Sequence, residues 1–415
     1  MNFIVFAIPV FFITIGIEMW VGYRRKQQYY NFEDAITNLN IGIGSQAIGL
    51  LGKVLILASY DYIYNHSLFQ LPKDNWLVWI GSLIFFDFLY YWAHRWGHEW
   101  NWMWGAHIVH HQSQEYNLSV ALRQSWFHNF IAFWIFLPLP VFGVHPYVFV
   151  GVAGFVTLYQ YWIHTKAIRK FPRIIEFIFN TPSHHRVHHA INPQYLDKNY
   201  AATFIFWDRI FGTFMEEKEE PVYGITSPIN SWDPVWANFH FYAEMFQGSK
   251  KLKGFWQKLA LIFRGPQYLG EVLGQVSKYP EYYKHVPKYK TPVSLNMKLY
   301  VLAQFIVLTA GIVKYLIHFD ELSLFYKWAC MGLIILTAYV CSGIMENKSW
   351  VSYVEVLRIL GGVILLNALY YYNYNDWFMA MLIGSISLGV LFIGWFVYKW
   401  MIARDPVPAE QSAGL

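Results

Sequence analysis

The sequence predicts an all-α protein, a multi-pass transmembrane helical bundle of about nine spans with a His-rich region on the cytoplasmic side. Three observations predict it. Apolar residues make up 56% of the chain and charged residues only 14%, against about 25% charged in a soluble domain. Apolar stretches close to the roughly 20 residues that a helix needs to cross a bilayer recur along the chain. Basic residues then gather on one side of those stretches and avoid the other.

The stretches lie near 2–20, 39–59 and 76–93, then in a pair near 130–143 and 146–163, and finally near 299–318, 326–345, 351–372 and 377–400. The first lacks a basic leader and a small-residue cleavage site and is followed by Arg24, Arg25 and Lys26, so it reads as a retained span. The pair is split by Gly143, His145 and Pro146, and forms a hairpin that either crosses twice or re-enters. Alternation from Arg24 makes 21–38, 94–129, 164–298, 346–350 and 401–415 cytoplasmic. The opposite loops, 60–75, 144–145, 319–325 and 373–376, hold Lys73 as their only basic residue. The expected division is a histidine-bearing membrane domain over 1–298, a four-helix transmembrane region over 299–401, and a disordered tail over 402–415.

Composition also excludes functions. A net charge of +5 over 415 residues gives no reason to expect nucleic acid. Two cysteines, Cys330 and Cys341, both in apolar stretches, exclude a disulfide framework and a thiolate metal site. Lys250, Lys251, Lys253, Lys258 and Arg264 surround an apolar segment at 254–263. Such a segment either lies along an anionic membrane surface or is an ordinary solvated helix face.

The chemistry is carried by histidine. Five of the 16 His fall between His94 and His111 and four between His184 and His189, in HRWGH (His94, His98), HIVHH (His107, His110, His111) and SHHRVHH (His184, His185, His188, His189). Spacings of three and four share a helical face. First-row ions take about four to six ligands, so nine or ten imidazoles match two metals better than one. His94 follows the span at 76–93 and His164 ends the span at 146–163, which carries both to the cytoplasmic boundary. Asp87, seven residues before His94, shares its face; it either bonds a ligand histidine or pairs elsewhere in the bundle. HEWNW is not the HExxH of zinc proteases, and a haem would leave most of these His unused. Beside a lipid, the fitting metal is non-haem iron with O2, with Glu99 as the nearest carboxylate. A divalent-metal transporter is the competing class, and it requires ligands near the bilayer midplane.

These boxes follow a D-x2-YYW-x-HR run (Asp87, Tyr90, Tyr91, Trp92, His94, Arg95) and resemble the fatty acid hydroxylase and sterol desaturase superfamily. HEWNWMWGAHIVHHQSQEYNLSVALRQS (His98 to Ser125), YQYWIHT, NTPSHHRVHH, DKNYA, WDRIFGTF and YGITSPINSWDPVWANFHF resemble its alkylglycerol monooxygenase branch over about residues 1–245. The resemblance implies a catalytic domain with two iron ions at the cytosolic face of the membrane (endoplasmic reticulum in a eukaryote, inner membrane in a bacterium). The branch implies tetrahydrobiopterin as reductant, O2, and ether lipids hydroxylated beside the ether oxygen, which yields a fatty aldehyde and a glycerol derivative. The alternative within the superfamily is a fatty acid or sterol hydroxylase or desaturase fed by an electron-donor protein, cytochrome b5 or a ferredoxin. By position, His94, His98, His107, His110, His111, His185, His188 and His189 are implied ligands, with His164 from a His-x3-His pair whose earlier member is Gln160 here. His184 is the candidate replacement donor. Glu99 and Asn199 stand in branch motifs and are expected to tune the metals or position a water.

Overall fold

The computed structural model describes residues 3–275, 283–373 and 378–403. Among these residues all regular structure is helical, no strand forms, and the β pairing is a lone bridge between Ala190 and Tyr223. The all-α prediction is correct. The predicted tail, 402–415, lies outside the described residues from 404 onward.

Among the described residues seven helices are long and apolar enough to cross a membrane: Val5–Arg24, Phe32–Asn65, Trp76–Glu99, Leu295–Glu321, Leu324–Met345, Val351–Leu369 and Phe378–Tyr398. The chain is an integral membrane protein. Two compact units divide it. The first, Phe3–Ser231 with Val235–Tyr289, opens with α1 (Phe3–Arg24), α2 (Phe32–Asn65) and α3 (Trp76–Glu99). At 1.5 Å per residue, the 34 residues of α2 extend about 50 Å, well beyond the roughly 30 Å of hydrocarbon. The surplus is its polar first turns, where Glu33, Asp34, Thr37, Asn38 and Asn40 are buried inside protein. Asn31 caps that end by accepting from the Asp34 amide. Likewise α3 continues past the predicted span end at 93 to Glu99, and those added turns carry His94 and His98.

The hairpin departs from expectation. The predicted helix over 130–143 breaks into α6 (His128–Ala132), a 3-10 turn (Phe133–Phe136) and α7 (Pro138–Val141), preceded in the chain by α4 (Asn101–His111) and α5 (Leu118–Ala121). Pro138 and Pro140 supply no amide hydrogens and stop a continuous helix. Gly143, at φ 82°, then turns the chain where an added Cβ would lie 2.0 Å from the Phe69 carbonyl oxygen. The returning helix, α8 (Pro146–Trp162), has 17 residues, about 25 Å. Neither arm is among the seven long apolar helices, and the pair forms a short, broken hairpin beside them. Tyr60, Phe86, Leu89, Met103, Leu139 and Val152 pack the hairpin onto α2, α3 and α4.

The unit continues with the short helices α9 (Arg173–Ile178), α10 (Pro182–His188) and α11 (Phe206–Ile210), then α12 (Pro234–Lys251), α13 (Phe255–Phe263) and α14 (Pro266–Leu273). The second unit comprises α15 (Leu295–His318), α16 (Leu324–Met345), α17 (Val351–Asn373) and α18 (Phe378–Ala403), with Trp232–Pro234. At its centre the Arg358 guanidinium donates to both carboxylate oxygens of Glu355 (2.6 and 2.8 Å), to Thr337 Oγ1 and to Gln304 Oε1. Charge inside an apolar bundle survives only when paired in this way.

Candidate metal centre

Nine histidines converge into two groups within the first unit. His94, His98, His107, His111 and His188 form one, and His110, His164, His185 and His189 the other; within each, one ring nitrogen per residue lies within 4.8 Å of all the rest. Helix geometry explains the division. On α4, His107 and His111 are four apart and face the first group, while His110 points about 100° away, into the second. On the α10 segment His185 and His189 face the second group and His188 the first. Each HH box therefore serves both groups, and α3 contributes His94 and His98 from consecutive turns.

For four of the nine, hydrogen bonds settle which nitrogen is bare. His94 Nδ1 donates to the Tyr200 carbonyl (2.6 Å), His110 Nδ1 to Arg123 (3.0 Å), His164 Nδ1 to Gln160 (2.7 Å) and His188 Nδ1 to Lys198 (3.0 Å). A neutral imidazole has a single N–H, so Nε2 of each is a lone pair. His110 Nε2 and His164 Nε2 nevertheless stand 3.1 Å apart with no proton to share. His94–His107 (2.9 Å), His107–His111 (3.0 Å), His164–His185 (3.0 Å) and His185–His189 (3.2 Å) repeat the spacing. Buried His98 Nε2 and His188 Nε2 find no hydrogen-bond partner at all. Lone pairs turned on one another repel unless a cation sits among them. Two donors about 2.1 Å from one ion and a right angle apart would be about 3 Å from each other, which these spacings match. The residues fit a pair of metal ions.

Protonation is opposed as well. Burial, then repulsion from neighbouring imidazoles, holds His107, His111, His164, His185, His188 and His189 well below the usual histidine pKa. Burial brings His110 to about 3. The neutral ring is the form that ligates.

A non-helical strap, residues 197–204, orients the first group. It offers the Tyr200 and Lys198 carbonyls to His94 and His188, and Asp197 lies 3.6 Å from His98 Nδ1. Three side chains hold the strap. Asp208 accepts from the Tyr200 and Ala201 amides, Asn180 donates to the Ala201 and Ala202 carbonyls, and Asp87 accepts from the Thr203 and Phe204 amides and from Trp207 Nε1. On the other side, Arg186 joins α10 to the chain after α8 through Glu217 and the carbonyls of Thr165, Ile168 and Arg169. Glu18 of α1 accepts from the Leu118 amide and from the Thr165 and Tyr30 hydroxyls, next to His164. Aromatic rings wall the groups, with Tyr116 stacked at 5.7 Å on His164 and Tyr200 at 5.3 Å from His98.

Four residues expected at the centre are engaged elsewhere. The Asp87 carboxylate bonds the strap rather than a ligand histidine. Asn199, in left-handed backbone at φ 56°, bonds the His184 and Met215 backbone through its side-chain amide. Glu99 pairs with Arg95 at 2.8 Å and is 40% exposed, outside both groups. His184 Nε2 donates to Glu176 at 3.0 Å while its Nδ1 accepts from the Thr181 amide, so it caps α10 and has no donor left for metal. Burial raises the Glu176 pKa, but bonds from His184, the Phe171 amide and Ser183 outweigh it and hold it at about 2. Gln160 bonds the Val156 carbonyl, and its own carbonyl orients His164. Sequence reading missed Asn180 and Asp208, both inside quoted motifs, and His128, whose ring is 5.7 Å from His107. As a lone histidine, His128 carried no spacing signal.

The family model for fatty acid hydroxylase matches residues 79–213, which contain every histidine of both groups. The chain is 33% identical over 396 residues to an alkylglycerol monooxygenase of Xenopus tropicalis, covering 94% of this chain and 87% of the relative. It is 36% identical over 359 residues to that of Homo sapiens, covering 85% and 80%. A lathosterol oxidase of Mus musculus is 30% identical over 169 residues, 39% of this chain and 53% of the relative. No solved structure matches the chain.

Proposed function

The chain belongs to the alkylglycerol monooxygenase family, within the fatty acid hydroxylases, and from that premise we propose that it is a membrane di-iron monooxygenase acting on alkylglycerol ether lipids. It hydroxylates the carbon beside the ether oxygen, using O2 and a reduced pterin, at the cytoplasmic face of the membrane. The observation that carries this reading is the pair of adjoining histidine groups whose Nε2 atoms stand 2.9–3.2 Å apart, those of His94, His110, His164 and His188 bare. His94, His98, His107, His111 and His188 would hold one iron, and His110, His164, His185 and His189 the other. When bound, the irons supply activation of O2 for insertion into an unreactive C–H bond.

The protein's own groups do the rest. Backbone carbonyls of Lys198, Tyr200, Arg123 and Gln160 hold four rings with Nε2 forward, so little reorganisation accompanies binding. Tyr116 and Tyr200, both buried, keep bulk water from the donors. The product carbon bears both a hydroxyl and the ether oxygen. Its O–H and C–O bonds break, a C=O forms, and the proton ends on the departing glycerol oxygen, which leaves a fatty aldehyde.

The test is a lipid screen of purified, iron-loaded protein with reduced pterin, with aldehyde as the readout. Aldehyde from an alkylglycerol without any redox protein is expected, and His188→Ala should abolish it while membrane insertion persists. Turnover restricted to a sterol or fatty acid, with strict need for a cytochrome or ferredoxin, would replace this reading with the second one. The match to a lathosterol oxidase favours that second reading, but it spans only 39% of the chain.

A further inference from the structure

The basic apolar segment at 250–264 plays no part in the chemistry above, yet its surface is unusual. Helix α13 turns Leu261 (2% exposed) into the core, while Phe255 and Trp256 stand 71% and 76% exposed and Phe263 48%. Phe255, Leu259, Ile262 and Phe263 share the i, i+4, i+7 and i+8 positions of one apolar face. Lys250, Lys251, Lys253, Lys258 and Arg264 are all exposed around it, against two carboxylates, Glu244 and Glu271, in the stretch 244–273. Lys250 and Arg264 lie over the Phe246 and Tyr268 rings at 4.2 and 4.7 Å.

The helix is also tied to the residues that follow α3. The Asn101 amide donates to the Arg264 carbonyl and its side chain to the Leu261 carbonyl, both at 2.8 Å, and Phe263 meets the Trp100 ring edge-on at 5.6 Å. Trp100 and Asn101 directly follow α3, one of the membrane-spanning candidates. So α13 packs against the end of that candidate span. There Trp96, Trp100 and Trp134 stack nearly parallel, at the depth that indoles favour.

We propose that α13 and its flanking cations form a contact site for anionic lipid headgroups, with Phe255, Trp256 and Phe263 seated in the interface of the leaflet that adjoins the histidine centre. An aqueous setting leaves two large aromatic side chains wet. An anionic bilayer accepts both the rings and the charge. Asn101 begins α4, the helix that carries His107, His110 and His111, so the contact bears on the element that holds the centre.

Hydrogen exchange of the full-length protein in lipid nanodiscs tests this and requires no turnover, so its failure would leave the enzymatic reading intact. In discs containing about a third phosphatidylglycerol, amides of 253–264 should exchange roughly fivefold or more slowly than in pure phosphatidylcholine. High salt should erase the difference. The triple variant Lys250→Gln, Lys253→Gln, Lys258→Gln should lose the lipid dependence while the α10 segment keeps its protection, which excludes misfolding. Equal exchange in both lipids would overturn the proposal. So would protection that appears in detergent as protein concentration rises, since that would assign the face to a second copy of the chain.

Discussion

At the scale of single residues, the two adjacent histidines that open the SHHRVHH box separate cap from ligand. His185 has its Nε2 within 3.0 Å of His164 and 3.2 Å of His189, whereas His184 spends both nitrogens on Glu176 and Thr181. His185→Ala should therefore lose metal from the second group. His184→Ala should keep it and lower stability by about 1 kcal/mol, the usual worth of a helix cap; metal analysis and thermal unfolding of the two variants decide this. Asp87 is a positioning residue. Asp87→Asn turns an amide group toward the Thr203 and Phe204 amides, at a cost of roughly 1–3 kcal/mol for a buried donor left unpaired. Loosening the strap should then weaken metal binding at the first group by about 10–100-fold, as loss of an orienting partner does. Unchanged metal affinity in a folded Asp87→Asn protein would mean that the strap does not orient His94 and His188. Sequence spacing identified Asp87 as sharing the face of His94. It could not identify the partner, because the amides it holds are more than 110 residues further on and leave no side-chain signature.

At the scale of elements, backbone approach decides whether the ligands can be held. Gly42 of α2 faces the Leu122 carbonyl so closely that a Cβ would stand 2.2 Å from its oxygen. The next residue, Arg123, gives its carbonyl to His110 and its guanidinium to Val109, Gln112 and Asn38. Gly42→Ala must displace this backbone, so a loss of about 1–3 kcal/mol is expected together with reduced metal in the second group. Gly49→Ala in the same helix meets nothing within 4 Å and should be silent in both assays. The long spans were legible in the sequence because hydropathy and length suffice to mark them. So was the i, i+4 face of His94 and His98 and of His107 and His111. The strap at 197–204 was not, since it acts through carbonyls that any residue provides. The hairpin was legible as apolar but not as broken, although Pro138 and Pro140 stand in the middle of its first arm. His184 was ambiguous for a physical reason: it stands four before His188, just as His185 stands four before His189, and only Glu176, from another helix, separates them.

At the scale of the whole molecule, the centre is supported by elements far apart in sequence: α1 through Glu18, α2 through Asn38 and its bond from Arg123, α3 and α4 through five ligands, and α10 through three in its segment. Emptied of cations, such a cluster sets bare nitrogens against one another, so removing metal with a chelator should lower the unfolding temperature of the intact protein by several degrees, and iron should restore it. The most direct measurement is the metal content of the purified full-length protein after iron loading, with His188→Ala alongside. Two adjoining groups of five and four imidazoles lead to an expected content of two irons per chain, with marked loss in the variant. A single iron per chain, or a variant that retains the full complement, would contradict the two-ion centre.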